Sequence, residues 1–330
     1  MVKIKDVADA AGVSTATVSR VLAQKPYVSE EVKKRVMEVV KKLNYQPNRA
    51  AQSLRANTSR LLALVVADIE NPFFQRVSRA VEDTAQEVGY NVILCNTDED
   101  PVKEKKYLDI LRVENIAGII ISPTLKGLEK YKETYSHDIP MVMIDRHVRN
   151  FDVDSVLIDN VASAHNITTH LIEHGYRRIA GMFGTGSTTG SERCEGFLKA
   201  LADHNIKPEK ELLEYVSAKE EEGFQTAIKL FNLKKRPDAI FTSNSLLASG
   251  VVQAIRTCKL SIPNDIAFAS FDDTSWAKLI DPPLTVIEQP TYEIGRTATE
   301  LLIKRIANPN RPNREVILKT KLICRKSCGC

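Results

Sequence analysis

The sequence predicts an α/β protein in which a small, all-helical helix-turn-helix head precedes a long core of parallel sheets covered by helices. Three observations carry that expectation. The first is charge: residues 1–60 hold twelve Lys and Arg against five Asp and Glu, a net of +7, whereas the 330-residue chain is only +4, which leaves −3 for residues 61–330. A mildly acidic body with a basic head presents one compact region to phosphate. The second is the helical spacing of apolar residues in the head. The third is the alternation, beyond residue 60, of short apolar runs with helical stripes, as expected of strands buried on both faces.

Taken in order, Val7, Ala8 and Ala11 form the apolar stripe of a short first helix. Gly12 follows where a left-handed backbone ends a helix, and Ser14 stands where a hydroxyl caps a second one. In that second helix Val18, Val21 and Leu22 point one way, leaving Thr15, Ala16, Thr17 and Arg20 as candidate DNA-contacting residues. Small residues with an Arg one turn later let a helix sit deep in a major groove, where Arg donates two hydrogen bonds to guanine. Helix, glycine turn, helix is the arrangement whose second helix reads bases. A third helix is expected from the cap Ser29, with Glu30 and Glu31 at its positive end and a stripe of Val32, Val36, Val39, Val40 and Leu43. Pro47 interrupts it, and Asn48 caps a further helix of about two turns, too short to stand alone in water. That helix is expected to form only against a partner copy and DNA.

Beyond the head, Leu61–Ala67, Asn91–Cys95, Ile116–Ile121 and Met141–Ile144 are strand-like, and Val77, Val81, Ala85 and Val88 mark a packed helix between them. The alternation resumes with Arg178–Phe183, Ala239–Thr242 and Ile266–Phe271.

The stretch from Ile4 to Leu54 resembles the DNA-binding head and hinge of the lactose/galactose repressor (LacI/GalR) family of bacterial transcription regulators. The matching segments are IKDVADAAGVSTATVSRVL, YVSEEVKKRV and LNYQPNRAAQSLR, and the likeness continues through the rest of the chain. The resemblance implies that Thr15, Ala16 and Arg20 read bases and that the hinges of two subunits pair in the minor groove. Leu54 then supplies an apolar wedge for the central base step, with Asn48 and Arg55 beside it in the DNA-contacting set. It divides the chain into a head (1–47), a hinge and linker (48–59) and an effector-binding and dimerisation core (60–330). The implied core is two-lobed and periplasmic-binding-protein-like, with crossings near Asp159, Gln289 and Lys319. One lobe would hold about 60–159 and 289–318, the other about 160–288 and 319–330. The implied partners are a pseudo-palindromic double-stranded operator, a second copy of the chain, and a small effector such as a sugar, sugar acid or sugar phosphate.

Ligands of open α/β sheets bind beyond the carboxyl ends of strands, which singles out Phe73, Asp145, Arg146, Arg193, Asn244 and Asp272, followed by Gln289 and Trp276. An aromatic covers an apolar sugar face, while carboxylates, an amide and guanidinium groups satisfy its hydroxyls. The resemblance favours Arg193, Asn244 and Asp272 most, as positions that contact ligand in the family.

Other chemistries find little support. The glycines of Gly184–Gly190 fall as GxGxxxG rather than GxGxxG, with no P-loop Lys-Ser/Thr, so a loop rimming the cleft is expected in place of a nucleotide site. GxSxG and HExxH are absent, the six His are scattered, and neither enzyme activity nor a cofactor is expected. Cys324, Cys328 and Cys330 form a Cx3CxC pattern suited to a soft metal, but three ligands without a nearby fourth favour a frayed tail of inert thiols and no metal. Cys194 and Cys258 fall on helices and Cys95 closes a strand. With neither a signal peptide nor an apolar run near eighteen residues, a reduced cytoplasmic protein is expected. Two alternatives share this core: a carbohydrate-binding uptake protein, which would need a secretion signal where the head stands, and a regulator controlled chiefly by a phosphocarrier protein.

Overall fold

The computed structural model describes residues 2–22, 26–45, 59–124, 139–146, 148 and 151–330. Its contacts separate a head, Met1–Ser59, from a core, Arg60–Cys330. In the head, helices α1 (Ile4–Ala11), α2 (Thr15–Leu22) and α3 (Glu30–Lys42) enclose a small core of Val7, Ala8, Ala11, Val18, Val21 and Val36. Gly12 ends α1 with φ 63°, a left-handed residue that a side chain would strain. The Ser14 hydroxyl then caps α2 by accepting from the Thr17 amide at 3.1 Å. Ser29 caps α3 by accepting from the Val32 amide.

The core holds two six-stranded sheets. The first runs β11 (Glu315–Leu318), β5 (Asp154–Ile158), β4 (Met141–Ile144), β3 (Gly118–Ile121), β1 (Leu61–Val66) and β2 (Asn91–Asn96), all neighbours parallel. The second runs β12 (Lys321–Ile323), β10 (Thr285–Glu288), β9 (Ala267–Phe271), β8 (Ala239–Thr242), β6 (Ile179–Gly184) and β7 (Leu213–Val216), parallel except where β12 meets β10. The two-faced burial of β1 explains its unbroken apolar run. Leu62, Leu64 and Val66 face the core beneath helices α4 (Pro72–Glu87) and α11 (Thr291–Ala307), while Ala63 and Val65 face the cluster beneath α5 (Pro101–Val113). In the second lobe α6 (Asn160–Glu173) and α7 (Thr188–Asp203) cover one face, α8 (Glu220–Phe231) and α9 (Ser245–Thr257) the other. Helices α8 and α9 pack backbone to backbone at Gly250, where a methyl group would overlap the Glu220 carbonyl oxygen and lie 2.5 Å from the Phe224 nitrogen. The chain passes between lobes after β5 at Asp159, after β10 at Gln289–Pro290, and between β11 and β12 at Lys319–Thr320.

Several local expectations need correction. Val88 lies past the end of α4 and is exposed. Strands β5, β7, β10, β11 and β12 have no counterpart in the apolar runs, because they are short and carry polar residues. Asp154 at the start of β5 is fully buried and is held there by Arg305 Nε at 3.0 Å and the Arg314 amide at 2.9 Å. The carboxyl-terminal tail is not frayed: β12 pairs with β10, and the buried Ser327 donates to the Phe268 carbonyl at 2.6 Å and accepts from the Thr285 amide at 2.7 Å. Among the described residues no helix is long and apolar enough to cross a membrane.

Candidate effector cleft and DNA-reading helix

In the head, the buried face of α2 (Val18 and Val21) leaves Thr15, Ala16 and Arg20 exposed on its outer side. Thr17 is half-buried and its hydroxyl lies 2.9 Å from that of Ser14, so it belongs to the cap that fixes the start of the helix rather than to the free surface. Asn48, Leu54 and Arg55 lie outside the described residues.

The carboxyl ends of both sheets converge on one cleft in the core, and its lining includes Phe73, Asp145, Arg146, Arg193, Asn244, Asp272 and Gln289 together. Trp276 is not part of it; it sits on the short helix α10 (Ser275–Leu279) and packs against the second lobe's own core. The Gly184–Gly190 segment rims the cleft, with Ser187 capping α7 by accepting from the Gly190 amide. Two strand ends give the cleft its carboxylates. Asp145 after β4 and Asp272 after β9 both have left-handed backbone, φ 66° and 75°. Asp tolerates that region better than most side chains, and strain of this kind costs about 1–3 kcal/mol where it is retained at a site.

The two cleft arginines differ in what they have left to offer. Arg146 donates from Nε to Asp145 at 3.1 Å, from both terminal nitrogens to Glu99 at 2.7 and 2.5 Å, and to the Pro123 carbonyl at 3.1 Å. Burial works against its charge, but the Glu99 hydrogen bonds and the Asp145 and Glu99 charges raise its pKa overall. Four of five N–H groups are thus engaged within its own lobe. Arg193 donates from Nε to Asn160 Oδ1 at 2.8 Å and from Nη1 to the Ser243 carbonyl at 2.6 Å, and lies 3.9 Å from the centre of the Phe271 ring. Its Nη2 has no partner within the second lobe, and burial lowers its pKa against the opposing pull of Asp272.

Asp272 accepts from Gln289 Nε2 at 2.6 Å and from the Ser245 amide at 3.3 Å. Burial nevertheless raises its pKa, outweighing the Arg193 charge and both hydrogen bonds. Asn244 Oδ1 caps α9 by accepting from the Leu247 amide at 2.8 Å, which leaves its amide N–H2 as the group it can offer. Phe73 stands edge-on to Phe74, with centroids 5.0 Å apart, at the start of α4. Its position is fixed by Asn71, whose side chain accepts from the Phe73 amide.

Sequence reading missed three contributors. Glu99 follows β2, whose strand is legible, so the strand-end rule would have found it. Lys219 follows β7, which is not legible; its ammonium reaches Asp68 of the other lobe at 2.8 Å and Glu70 at 3.6 Å, an ion pair across the cleft mouth. Asn160, the first residue of α6, holds Arg193 and donates to Glu192 at 2.8 Å.

Comparisons with known proteins agree with this anatomy. The family described as "Bacterial regulatory proteins, lacI family" matches residues 3–48, and a periplasmic binding protein-like domain matches residues 168–328. The ribose operon repressor of Halalkalibacterium halodurans is 38% identical over 328 residues, covering 99% of this chain and 97% of that protein. The PurR repressor of Mannheimia succiniciproducens is 32% identical over 330 residues, covering 99% and 98%. Among solved structures, the lac repressor dimer bound to operator and the anti-inducer ONPF superposes with a TM-score of 0.88 at 26% identity, covering 99% of both chains. The regulator CelR in complex with cellobiose superposes with a TM-score of 0.74 at 26% identity, covering 99% of this chain and 100% of that one. With relatives of this identity along its whole length, the chain belongs to the lacI family of bacterial regulatory proteins and is a DNA-binding transcription regulator, not an enzyme.

Proposed function

We propose that the chain is a cytoplasmic, homodimeric repressor of carbohydrate-use genes whose operator affinity is set by a neutral sugar held between the lobes. The observation that carries this reading is the charge balance of the cleft. Arg146 is matched by Glu99 and Asp145, Asp68 by Lys219, and Asp98 by Lys103. What remains for a ligand is Arg193 and Asp272, within electrostatic reach of each other, one further negative charge because Glu99 and Asp145 share the single Arg146, the Asn244 amide and Phe73 as an apolar wall. That set offers donors and an acceptor to hydroxyls but no surplus positive charge to a phosphate or carboxylate. Gln289 and Arg146 then serve by holding Asp272 and Asp145 in place. A ribose operon repressor among the relatives and a cellobiose complex among the structural neighbours support a sugar as the ligand class.

On the DNA side, two copies of the exposed face of α2 read the half-sites of a pseudo-palindrome. The hinges carrying Asn48, Leu54 and Arg55 enter the minor groove between them. Effector changes the angle between lobes and so the spacing of the paired hinges, a coupling of about 1–3 kcal/mol that acts equally in both directions. Calorimetry against neutral sugars, sugar acids and sugar phosphates tests the ligand, and operator titration with and without the binder tests the coupling. A neutral sugar that binds and shifts operator affinity is the expected result. A marked preference for phosphorylated or acidic sugars refutes the charge argument. An operator response that needs a phosphocarrier protein refutes sensing by the cleft.

A further inference from the structure

The ordered tail brings together the two commonest transition-metal ligand types at a place remote from the cleft lining. Residues His170 and His174 lie one turn apart at the end of α6, so they share a face, with ring centroids 4.3 Å apart. The tail arrives beside them by way of β12 and the turn Lys326–Cys328, fixed by the buried Ser327. Gly329 then adopts φ 86°, which doubles the chain back and sets the Cys330 thiol 3.1 Å from that of Cys328.

Three donor atoms, His170 Nε2, Cys328 Sγ and Cys330 Sγ, lie within 4.8 Å of one another, and His174 Nε2 adjoins the set at Cys330. His170 Nε2 lies 3.1 Å from Cys328 Sγ and 3.4 Å from Cys330 Sγ, and Cys330 Sγ lies 3.1 Å from His174 Nε2. The tautomer of His174 follows from its other nitrogen, Nδ1, which sits 2.8 Å from the His170 carbonyl oxygen. A carbonyl only accepts, so Nδ1 carries the proton and Nε2 faces Cys330 Sγ, the arrangement that orients metal-bound histidines. Cys324 lies 4.0 Å from His170 Nδ1, on the other edge of that ring, and its thiol interacts with that of Cys330, so like His174 it stands at the margin of the set.

We infer that His170, Cys328 and Cys330 are three ligands of a zinc site that staples this tail to helix α6, and that the exposed His174 swings from its place beside Cys330 to become the fourth. Metal–sulfur bonds of about 2.3 Å and metal–nitrogen bonds of about 2.0–2.1 Å give tetrahedral edges of about 3.8 Å between two sulfurs and about 3.6 Å between sulfur and nitrogen. Against those edges the Cys328–Cys330 sulfur separation of 3.1 Å is about 0.6–0.7 Å short and the sulfur–nitrogen separations of 3.1–3.4 Å are about 0.2–0.5 Å short, so rotations of both cysteines must open the set around a metal. Two thiolates with two imidazoles suit zinc and do not suit magnesium or calcium, which take oxygen ligands. Each thiol releases its proton to solvent as its metal–sulfur bond forms, and no electron moves. The staple acts where the lobes are joined: α6 begins at the first crossing, and its Ser163 hydroxyl lies 2.8 Å from that of Thr320 at the third.

The test uses the untagged full chain, stripped of metal with a chelator and kept reduced with a phosphine. Cobalt titration should give one tetrahedral ion per chain with a thiolate charge-transfer band, and zinc should displace it and raise the melting temperature. Cys330 and His174 are exposed, so Cys330→Ser and His174→Ala should fold normally. Each should weaken zinc binding by more than about 100-fold, the upper end of what losing even a supporting partner costs. His204→Ala, a histidine outside the cluster, should change nothing. The inference is overturned if cobalt gives no tetrahedral spectrum, or if both ligand variants bind zinc as the parent does. It is equally overturned if Cys328 and Cys330 form a disulfide in air even with saturating zinc, which would make the pair a redox couple. These readouts need neither effector nor operator, so they stand apart from the proposed sensing of sugar.

Discussion

Replacing Asp272 by Asn separates binding from stability in a way that probes the whole cleft. The side chain keeps its shape, and Gln289 can turn its amide to satisfy the new N–H2, but one ionised acceptor is lost. A hydrogen bond to a charged group is worth about 1.5–3 kcal/mol, so effector affinity should fall by about 10- to 150-fold. Effector-free operator binding should stay at the parental level, because Asp272 lies in the core and the proposed base-reading face lies on α2 of the head. Stability should move the other way. Burial raises the Asp272 pKa even though Arg193, Gln289 and Ser245 all favour the charge, so the folded state holds this proton more tightly than the unfolded chain does. Stability therefore falls as pH rises from the ordinary carboxylate value of about 4 through the raised folded value, and above it the loss is complete. Asp272→Asn removes that penalty. The variant should melt above the parent at neutral pH, with the gap closing toward pH about 4. Calorimetry for effector, fluorescence anisotropy for operator and thermal melts across pH read all three quantities. An Asp272→Asn protein that retains full effector response would show that the signal is sensed elsewhere.

Three further perturbations test other parts of the molecule. Arg20→Ala should cost about 1–3 kcal/mol on the cognate operator and relax one base position per half-site in a randomised library, whereas uniform weakening of every sequence would mean that Arg20 meets only phosphate. Lys219→Ala opens the ion pair across the cleft mouth; with half the lysine exposed, the pair is worth at most about 1 kcal/mol, so stopped-flow should show effector release faster by no more than about fivefold. Gly250→Ala forces α8 and α9 apart and should lower unfolding stability by about 1–3 kcal/mol, read as a shifted urea midpoint; an unchanged midpoint would mean that the helices can separate freely.

The residues that were legible in the sequence are those whose role is local. A cap, a glycine turn and an apolar stripe act within a few residues, so all three helices of the head could be read from neighbours alone. The fully buried strands β3, β6, β8 and β9 announce themselves because both faces require apolar side chains. Strands β7 and β11 at sheet edges do not, and neither does β5 with its buried Asp154–Arg305 pair. The strand-end rule brought Phe73, Asp145, Arg146, Arg193, Asn244 and Asp272 to one cleft, since it depends only on where a strand stops. Gln289, beyond the illegible β10, came from the resemblance, and the rule failed for Trp276, whose helix turns back onto its own lobe. What the sequence does not contain is the ledger of partners. Arg146 and Arg193 look alike as polar residues beyond strands. Only the fold shows that Glu99, 47 residues away in sequence, engages the first, while the second keeps donors for a ligand. The same limit governs the tail. Cys324, Cys328 and Cys330 have no imidazole within any local window, and the histidine neighbours of Cys328 and Cys330 lie 158 and 156 residues upstream. A closing strand, β12, spans that separation. Short-range chemistry therefore specifies where each element begins and which face it buries, while the balance of charge in the cleft and the ligand set at the tail arise only when distant strand ends meet.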